Sequence, residues 1–301
     1  MSVVLIGGGT GFIGKHLSRH LTDHGHTVRH LSRSPRPDSP YKTFHWDAQK
    51  QTIDEAAFAG TDYVINLAGA GIVDKRWTEE RKQVIIRSRT QTTGLLAAAF
   101  ARLDYKPKRY LSASAIGYYG NRPGETMIET SKPGDGFLSK SCILWEESVQ
   151  EIKRLGVPIF IARTGIVLHP DEGALQKMLL PMNVRVSTYF GDGSQVYSWI
   201  HINDMIDIYR AAIDADLDGV FNAVAPNAAT NKELAEAIPR AMDKKALVVP
   251  TPAPVMRLAM GEMSHTVLDG ARCSAQKLLD HGFDFDHPTL DGALTDLLSK
   301  K

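Results

Sequence analysis

The stretch "VVLIGGGTGFIGKHLSRHLTDHGHTVRHLSRS" runs from Val3 to Ser34. Val3 to Ile6 are apolar and read as a buried strand. Phe12 to Asp23 read as a helix with Phe12, Ile13, Leu17 and Leu21 on one side. Between them the chain is nearly all glycine. The spacing can be taken as Gly9-x-Gly11-x-x-Gly14 or as Gly8-x-x-Gly11-x-x-Gly14. Either way, bare backbone falls where a strand turns sharply into a helix. Missing side chains let a diphosphate approach the backbone N–H groups and the positive helix end. The last glycine lets helix and strand pack closely. A glycine triplet alone is a weak signal, but here it sits in the strand–turn–helix context that the chemistry requires. The expectation is a dinucleotide site on Gly8, Gly9, Thr10, Gly11, Phe12, Ile13 and Gly14.

The identity of the dinucleotide is written at the end of the second strand. A site for NAD wants an acidic residue there to hold the ribose 2′-hydroxyl. The chain instead has "RHLSRSPRP", with Ser32, Arg33 and Arg36 and no acid. An arginine can fork onto a 2′-phosphate, so the cofactor expected is NADP, with Ser32 and Arg33 on its adenosine end.

Beyond the opening, strand-like and helix-like segments alternate. "TDYVINLAG" reads as a strand, "TEERKQVIIRSRTQTTGLLAAAFARL" as a long helix with Thr78 and Arg81 in its first turn, "RYLSASAIG" as a strand, "FLSKSCILWEESVQEIKRLG" as a helix and "VPIFIARTGIVL" as another strand. This alternation predicts an α/β fold, a Rossmann-type doubly wound parallel sheet with a smaller C-terminal α/β region. From about Leu168 the pattern becomes irregular. The expected division is a cofactor domain over 1–166, with 196–225 returning to it, and a substrate-side domain from 167–195 and 226–301. Composition supports an ordinary globular chain of 301 residues with net charge +1, which gives no field for nucleic acid or an acidic membrane. Two cysteines make no disulfide framework. No stretch approaches the ~20 apolar residues of a spanning helix, and "SVVLI" enters a strand with no basic leader before it. The expected setting is cytoplasmic, as a monomer or homodimer, with a small-molecule substrate as partner.

"GGTGFIG", "NLAGAGI", "SASAIGYYG" and "WIHINDM" together resemble the short-chain dehydrogenase/reductase superfamily in its extended and atypical branch. The order of "RWTEERKQVIIRSR", "RTGIVL", "GSQVYSWIHINDM", "NAVAPNAATN" and "GARCSAQKLLDHGFDF" is similar to the epimerase-like family related to the human short-chain dehydrogenase/reductase family 39U member. The resemblance covers nearly the whole chain and implies a Rossmann fold, NADP-type binding and a small C-terminal domain. It also implies that Asn66, Leu67, Ala68 and Gly69 pass under the nicotinamide ribose, and that Trp199 and His201 line the mouth of the site with Trp77 beside it. A bland alternative stands beside each: packing for Trp199 and His201, a helix start and salt bridge for Trp77 and Arg81.

Catalytic members of the superfamily use a Tyr-x-x-x-Lys pair on a helix and a serine on the preceding strand. The strand serine is Ser112 or Ser114, with Ser114 favoured. Ser139-Lys140 matches the usual end of the helix motif, but the position four before Lys140 is Gly136. The tyrosine is missing. Three explanations compete: Tyr118 or Tyr119 replaces it, the reaction needs no strong acid, or the protein binds NADP without turnover. The catalytic candidates are therefore Ser114, Lys140, Tyr118 and Tyr119. The function expected is an NADP(H)-dependent oxidoreductase or epimerase-like enzyme on a small polar, sugar-like substrate. The alternative is a non-catalytic NADP(H)-binding sensor or scaffold. His16 and His20 have the i,i+4 spacing of a metal pair, but with no carboxylate or cysteine to complete them, they and His24, His26 and His30 read as surface histidines and no metal is expected.

Overall fold

Runs of apolar residues buried on both faces are what a parallel sheet covered by helices demands. The computed structural model, which describes residues 1–34, 36–215 and 217–299, has them in its centre. The strands are β1 (Val3–Gly7), β2 (Thr27–Ser32), β3 (Lys42–Asp47), β4 (Thr52–Ile53), β5 (Tyr63–Asn66), β6 (Arg109–Ala115), β7 (Arg122–Met127), β8 (Ile159–Thr164), β9 (Ile166–His169), β10 (Val186–Phe190), β11 (Val196–Tyr197), β12 (Trp199–His201), β13 (Gly219–Ala223), β14 (Ala229–Thr230), β15 (Leu247–Thr251) and β16 (Ala271–Cys273). Eight of these form one sheet in the order β13-β8-β6-β5-β1-β2-β3-β4, parallel except for the β3–β4 edge pair. The order reverses between β1 and β5, and in such sheets ligands bind outside the carboxyl ends of the strands at that switch point.

Helices cover both faces. On one, α1 (Phe12–Asp23) shares a core with a later helix, Ile202–Asp214, through Leu17, Leu21, Ile6 and Ile208. On the other, α2 (Glu79–Arg102) and α3 (Gly136–Arg154) bury Leu96, Phe100 and Val149 on Leu5 and Val64. A third apolar cluster joins Leu168, Leu175, Trp199, Leu234 and Leu294 away from the main sheet.

Two elements differ from the sequence reading. The run "VPIFIARTGIVL" is two strands, because the chain breaks at Gly165. A side chain there would collide with the Ser198 carbonyl and with Val224. β8 stays in the main sheet, while β9 leaves it to pair with β12. The strand β3 was not evident, since its two buried aromatics, Phe44 and Trp46, stand among Lys42, Thr43, His45 and Asp47.

Candidate functional site

At the switch point the glycines divide into two kinds. Gly8 takes a left-handed conformation, φ 81°, and a side chain there would strike the Leu67–Ala68 backbone at 2.9 Å. Gly14 is pressed against the Gly8 carbonyl, and Gly9 against the His30 ring, whose Cδ2 would lie 2.5 Å from an added Cβ. These three serve the protein's own packing. Gly11 is different. It is exposed, and an added Cβ would meet only the Gly8 oxygen, at 3.3 Å. Gly11 is also the N-cap of α1 and offers no side-chain cap, so the N–H groups of the first turn face outward behind Thr10 and Gly11. That is a cradle for an anion at a helix N-terminus. Phe12 and Ile13 anchor the turn to the core below.

The rim of this cleft is built from neighbouring loops. Ser32 folds back, its Oγ donating to the Ser34 carbonyl at 2.8 Å. Arg33 is exposed and makes no hydrogen bond or ion pair with any described residue; Arg36 is also exposed, and Pro35 lies outside the described residues. Asn66 is fully buried, with Nδ2 donating to Thr92 Oγ1 and Tyr110 Oη and Oδ1 accepting from the Ala68 N–H. It positions the loop of Leu67, Ala68 and Gly69 rather than reaching a ligand. Leu67 N–H donates to the Gly7 carbonyl at 2.8 Å, which ties that loop to the glycine turn.

Of the four expected catalytic residues, Ser114, Tyr118 and Tyr119 gather on one network around Glu146 and Arg163, and Lys140 stands apart. Ser114 is buried and donates to Glu146 Oε1 at 2.7 Å. Glu146 receives the Arg163 fork at 2.9 and 2.8 Å. Arg163 also donates to Tyr119 Oη at 2.9 Å, and Tyr119 donates to Asn222 Oδ1 at 2.6 Å. Burial pushes the Tyr119 hydroxyl well above its ordinary pKa, with Arg163 opposing. Burial pulls the Arg163 guanidinium down, but the hydrogen bond and charge of Glu146 hold it above its usual range. Tyr118 lies with its ring 3.5 Å from the Arg163 guanidinium carbon. Lys140 is exposed and lines a surface hollow of 460 Å³ with Glu79, Lys82 and Glu262, which shares a wall at Gly136 and Phe137 with the larger cavity described next. Instead, Leu138 and Cys142 face the end of β6. An added Cβ on Gly117 would meet Leu138 Cβ at 3.4 Å and Cys142 Sγ at 3.8 Å. Burial pushes the Cys142 thiol up to about 12, so it is neutral and inert. The apolar stripe of α3 already contained both residues, and Lys140 lay off it.

Beside these residues opens a cavity of 660 Å³. Trp77 lines it, with its Nε1 donating to the Ile72 carbonyl at 2.9 Å and its ring edge-on to Phe137 at 4.7 Å. Ile116, Leu138, Arg122 and Tyr197 form other walls. His265 and Asp269 also line it, with Nδ1 and Oδ2 3.0 Å apart; such a pair can move a proton. Nothing in the spacing of the C-terminal sequence marks it. Trp199 and His201 do not belong to this cavity. Trp199 is fully buried and donates from Nε1 to the Asn227 carbonyl. His201 is 1% exposed, caps the helix Ile202–Asp214 by accepting from Asn203 N–H, and turns Nε2 to Asp296 at 3.3 Å. The histidines also depart from expectation. His30 is buried, with Nε2 2.8 Å from Ser18 Oγ. His20 meets Asp207 at 3.0 Å, and His16 meets Glu172, a carboxylate distant in sequence, at 3.5 Å beside His169. Lys15 pairs with that same Glu172 oxygen, which leaves the carboxylate committed to an ammonium.

Comparison with known proteins gives this geometry a context. Residues 4–224 match the model of the NAD dependent epimerase/dehydratase family, and residues 251–297 match a domain of unknown function, DUF1731. The chain is 35% identical over 297 residues to Epimerase family protein YfhF of Bacillus subtilis, covering 98% of this chain and 97% of that protein. Among solved structures, human epimerase family protein SDR39U1 with NADPH superposes with a TM-score of 0.87 at 32% identity, covering 98% of this chain and 99% of that one. A nucleoside-diphosphate sugar epimerase from Corynebacterium glutamicum gives a TM-score of 0.79 at 29% identity, over 99% of this chain and 58% of that one.

Proposed function

The chain belongs to the NAD dependent epimerase/dehydratase family, and we propose that it binds NADP(H) and acts as an oxidoreductase or epimerase-like protein on a small polar, sugar-like substrate. The observation that carries this reading is the uncapped first turn of α1 behind exposed Gly11, with the 660 Å³ cavity opening from the ends of β6 and α3. The glycine turn fits a diphosphate, and Arg33 is free to meet a 2′-phosphate. The NADPH in the human relative's structure supports the same choice. Bound there, the cofactor would supply hydride chemistry. The chain's own residues would hold it, exclude water beneath Trp77 and present the substrate to the cavity wall. The substrate-side region comprises 167–195 and 226–301, and His265 with Asp269 is its proton-transfer pair.

A second reading, a sensor that binds NADP(H) without turnover, is favoured by Gly136 at the helix position where the superfamily motif has its tyrosine. The two readings separate in one set of measurements. NADPH and NADH are titrated by fluorescence against the parent, Gly11→Val and Arg33→Asp, and NADPH oxidation is followed over a panel of carbonyl compounds and nucleotide sugars. The expected outcome is tighter binding of NADPH than of NADH, loss of binding in Gly11→Val and loss of the preference in Arg33→Asp. Turnover of any panel member supports the enzyme. Tight binding without turnover favours the sensor, and retained NADPH affinity in folded Gly11→Val removes the site.

A further inference from the structure

We infer that the 660 Å³ cavity excludes phosphate, and that its substrate is a free, unphosphorylated small polar compound rather than a nucleoside diphosphate sugar. This rests on the reading above that the cavity is the substrate site. A diphosphate needs positive charge around it, best from a guanidinium that forks onto it. The walls offer the reverse. They carry the carboxylates of Glu125, Asp135, Glu262 and Asp269, against the guanidinium of Arg122 and the imidazole of His265. Lys140 lines the adjoining hollow and not this cavity.

The cationic groups are already engaged. Arg122 donates from Nε to the Tyr119 carbonyl at 3.2 Å and from Nη2 to the Pro133 carbonyl at 3.1 Å, and its Nη1 lies 3.8 Å from Glu125 Oε1. One edge that could fork onto a phosphate is therefore closed by backbone, and Glu125 stands at the other. His265 Nδ1 is 3.0 Å from Asp269 Oδ2, so a proton taken up there is balanced by a carboxylate. Lys82, behind Glu262, is held by it at 2.5 Å and by Glu79 at 3.0 Å. The first turn of α3 also borders the cavity, and a helix N-terminus attracts anions. Its N-cap, however, is Asp135, whose side chain makes no capping bond, and that carboxylate answers the positive end. An entering phosphate would meet like charge from β7, α3 and the C-terminal part of the chain, in a recess where solvent screens less than in bulk water. Repulsion of the wrong ligand is a common source of specificity. The ring of Trp77, edge-on to Phe137, gives an uncharged wall of the kind that holds a small polar molecule with few directed contacts.

The test titrates uridine diphosphate and uridine diphosphate glucose calorimetrically into protein saturated with NADPH, so that the glycine turn is filled. The parent is compared with a double variant, Glu125→Gln with Asp135→Asn. Both positions are exposed, the changes are near-isosteric, and asparagine caps a helix as well as aspartate does. The parent is expected to bind neither probe below about 1 mM, and the double variant to bind both about tenfold tighter or more, with a gain that changes as salt screens the walls. Tight binding of either probe by the parent overturns the inference. A folded double variant that binds them no better than the parent does so too, because the carboxylates are then not what excludes them. Turnover of a nucleoside diphosphate sugar by the parent upholds the enzyme reading and overturns this inference. Failure of the parent to bind NADPH removes the cofactor reading alone; the same titrations in the Gly11→Val background, whose glycine turn is closed to a diphosphate, then decide the inference by the same two results.

Discussion

Replacing Gly9 by alanine adds one methyl group at a place where the protein has none to spare. The new Cβ would stand 2.5 Å from His30 Cδ2 and 2.8 Å from Cε1, distances that real side chains do not tolerate. The ring cannot simply swing away. Its Nε2 is 2.8 Å from Ser18 Oγ, and Tyr41 packs on it with ring centres 4.6 Å apart. Either the glycine turn or strand β2 has to move. Overpacking of this kind costs about 1–3 kcal/mol, which for a chain of this length corresponds to a fall in Tm of roughly 2–6 °C. The assay is a double-mutant cycle by thermal and urea unfolding. His30→Ala leaves a cavity of its own, but in that background Gly9→Ala should cost almost nothing, giving a coupling of about 1 kcal/mol or more. Gly11→Ala is the comparison, because its Cβ would meet only the Gly8 oxygen, at 3.3 Å, and should cost much less than Gly9→Ala. A Gly9→Ala protein that melts with the parent, or a cycle that is additive, would refute the claim that His30 is what keeps Gly9 bare.

Two further outcomes are expected. Glu146→Ala strands the buried Arg163 guanidinium and should cost about 3–5 kcal/mol, against about 1 kcal/mol for Ser114→Ala, which removes one hydrogen bond; equal costs in urea unfolding would mean the network does not hold β6, β8 and α3 together. Burial pushes His30 down to about 4 from 6.5, so between these values the unfolded chain binds more protons and stability falls as pH drops, by about 2 kcal/mol at pH 5 for this residue. Urea midpoints measured at pH 7.5 and pH 5 should show that loss, and a His30→Gln protein with the same slope as the parent would assign it elsewhere.

How far the sequence carries depends on whether a residue's partner is close along the chain. The strands β1, β5, β6 and β8 were legible because burial on both faces writes an uninterrupted apolar run. The cradle was legible because a diphosphate turn is local, with every glycine within eight positions of the next strand–helix boundary. Ser114 was the right residue type on the right strand, but its hydroxyl is taken by Glu146, 32 positions away, and no spacing reveals that. Lys140 rests on a short motif match and is exposed, whereas the helical stripe turns Cys142 inward. Trp199 and His201 follow the same lesson. Their environment is made by Asn227, His287 and Asp296, which come from parts of the chain with no regular pattern.

The buried network engages the hydroxyls that the expected acid–base site would use. A serine that orients a substrate oxygen has to keep its hydroxyl free, and a tyrosine that passes a proton needs a pKa near the working pH. Here the hydroxyl of Ser114 and that of Tyr119 are both bound into the Glu146–Arg163 pair, and burial drives the Tyr119 pKa upward. The same interactions that could have been spent on a transition state join β6, β8, β13 and α3 into one rigid floor. Such a floor is compatible with the proposed cofactor role, in which the glycine cradle, the loop of Leu67, Ala68 and Gly69 and the rim at Arg33 would hold the dinucleotide. In the proposed enzyme, proton transfer would fall to another lining pair of the cavity, His265 and Asp269 on the C-terminal part of the chain.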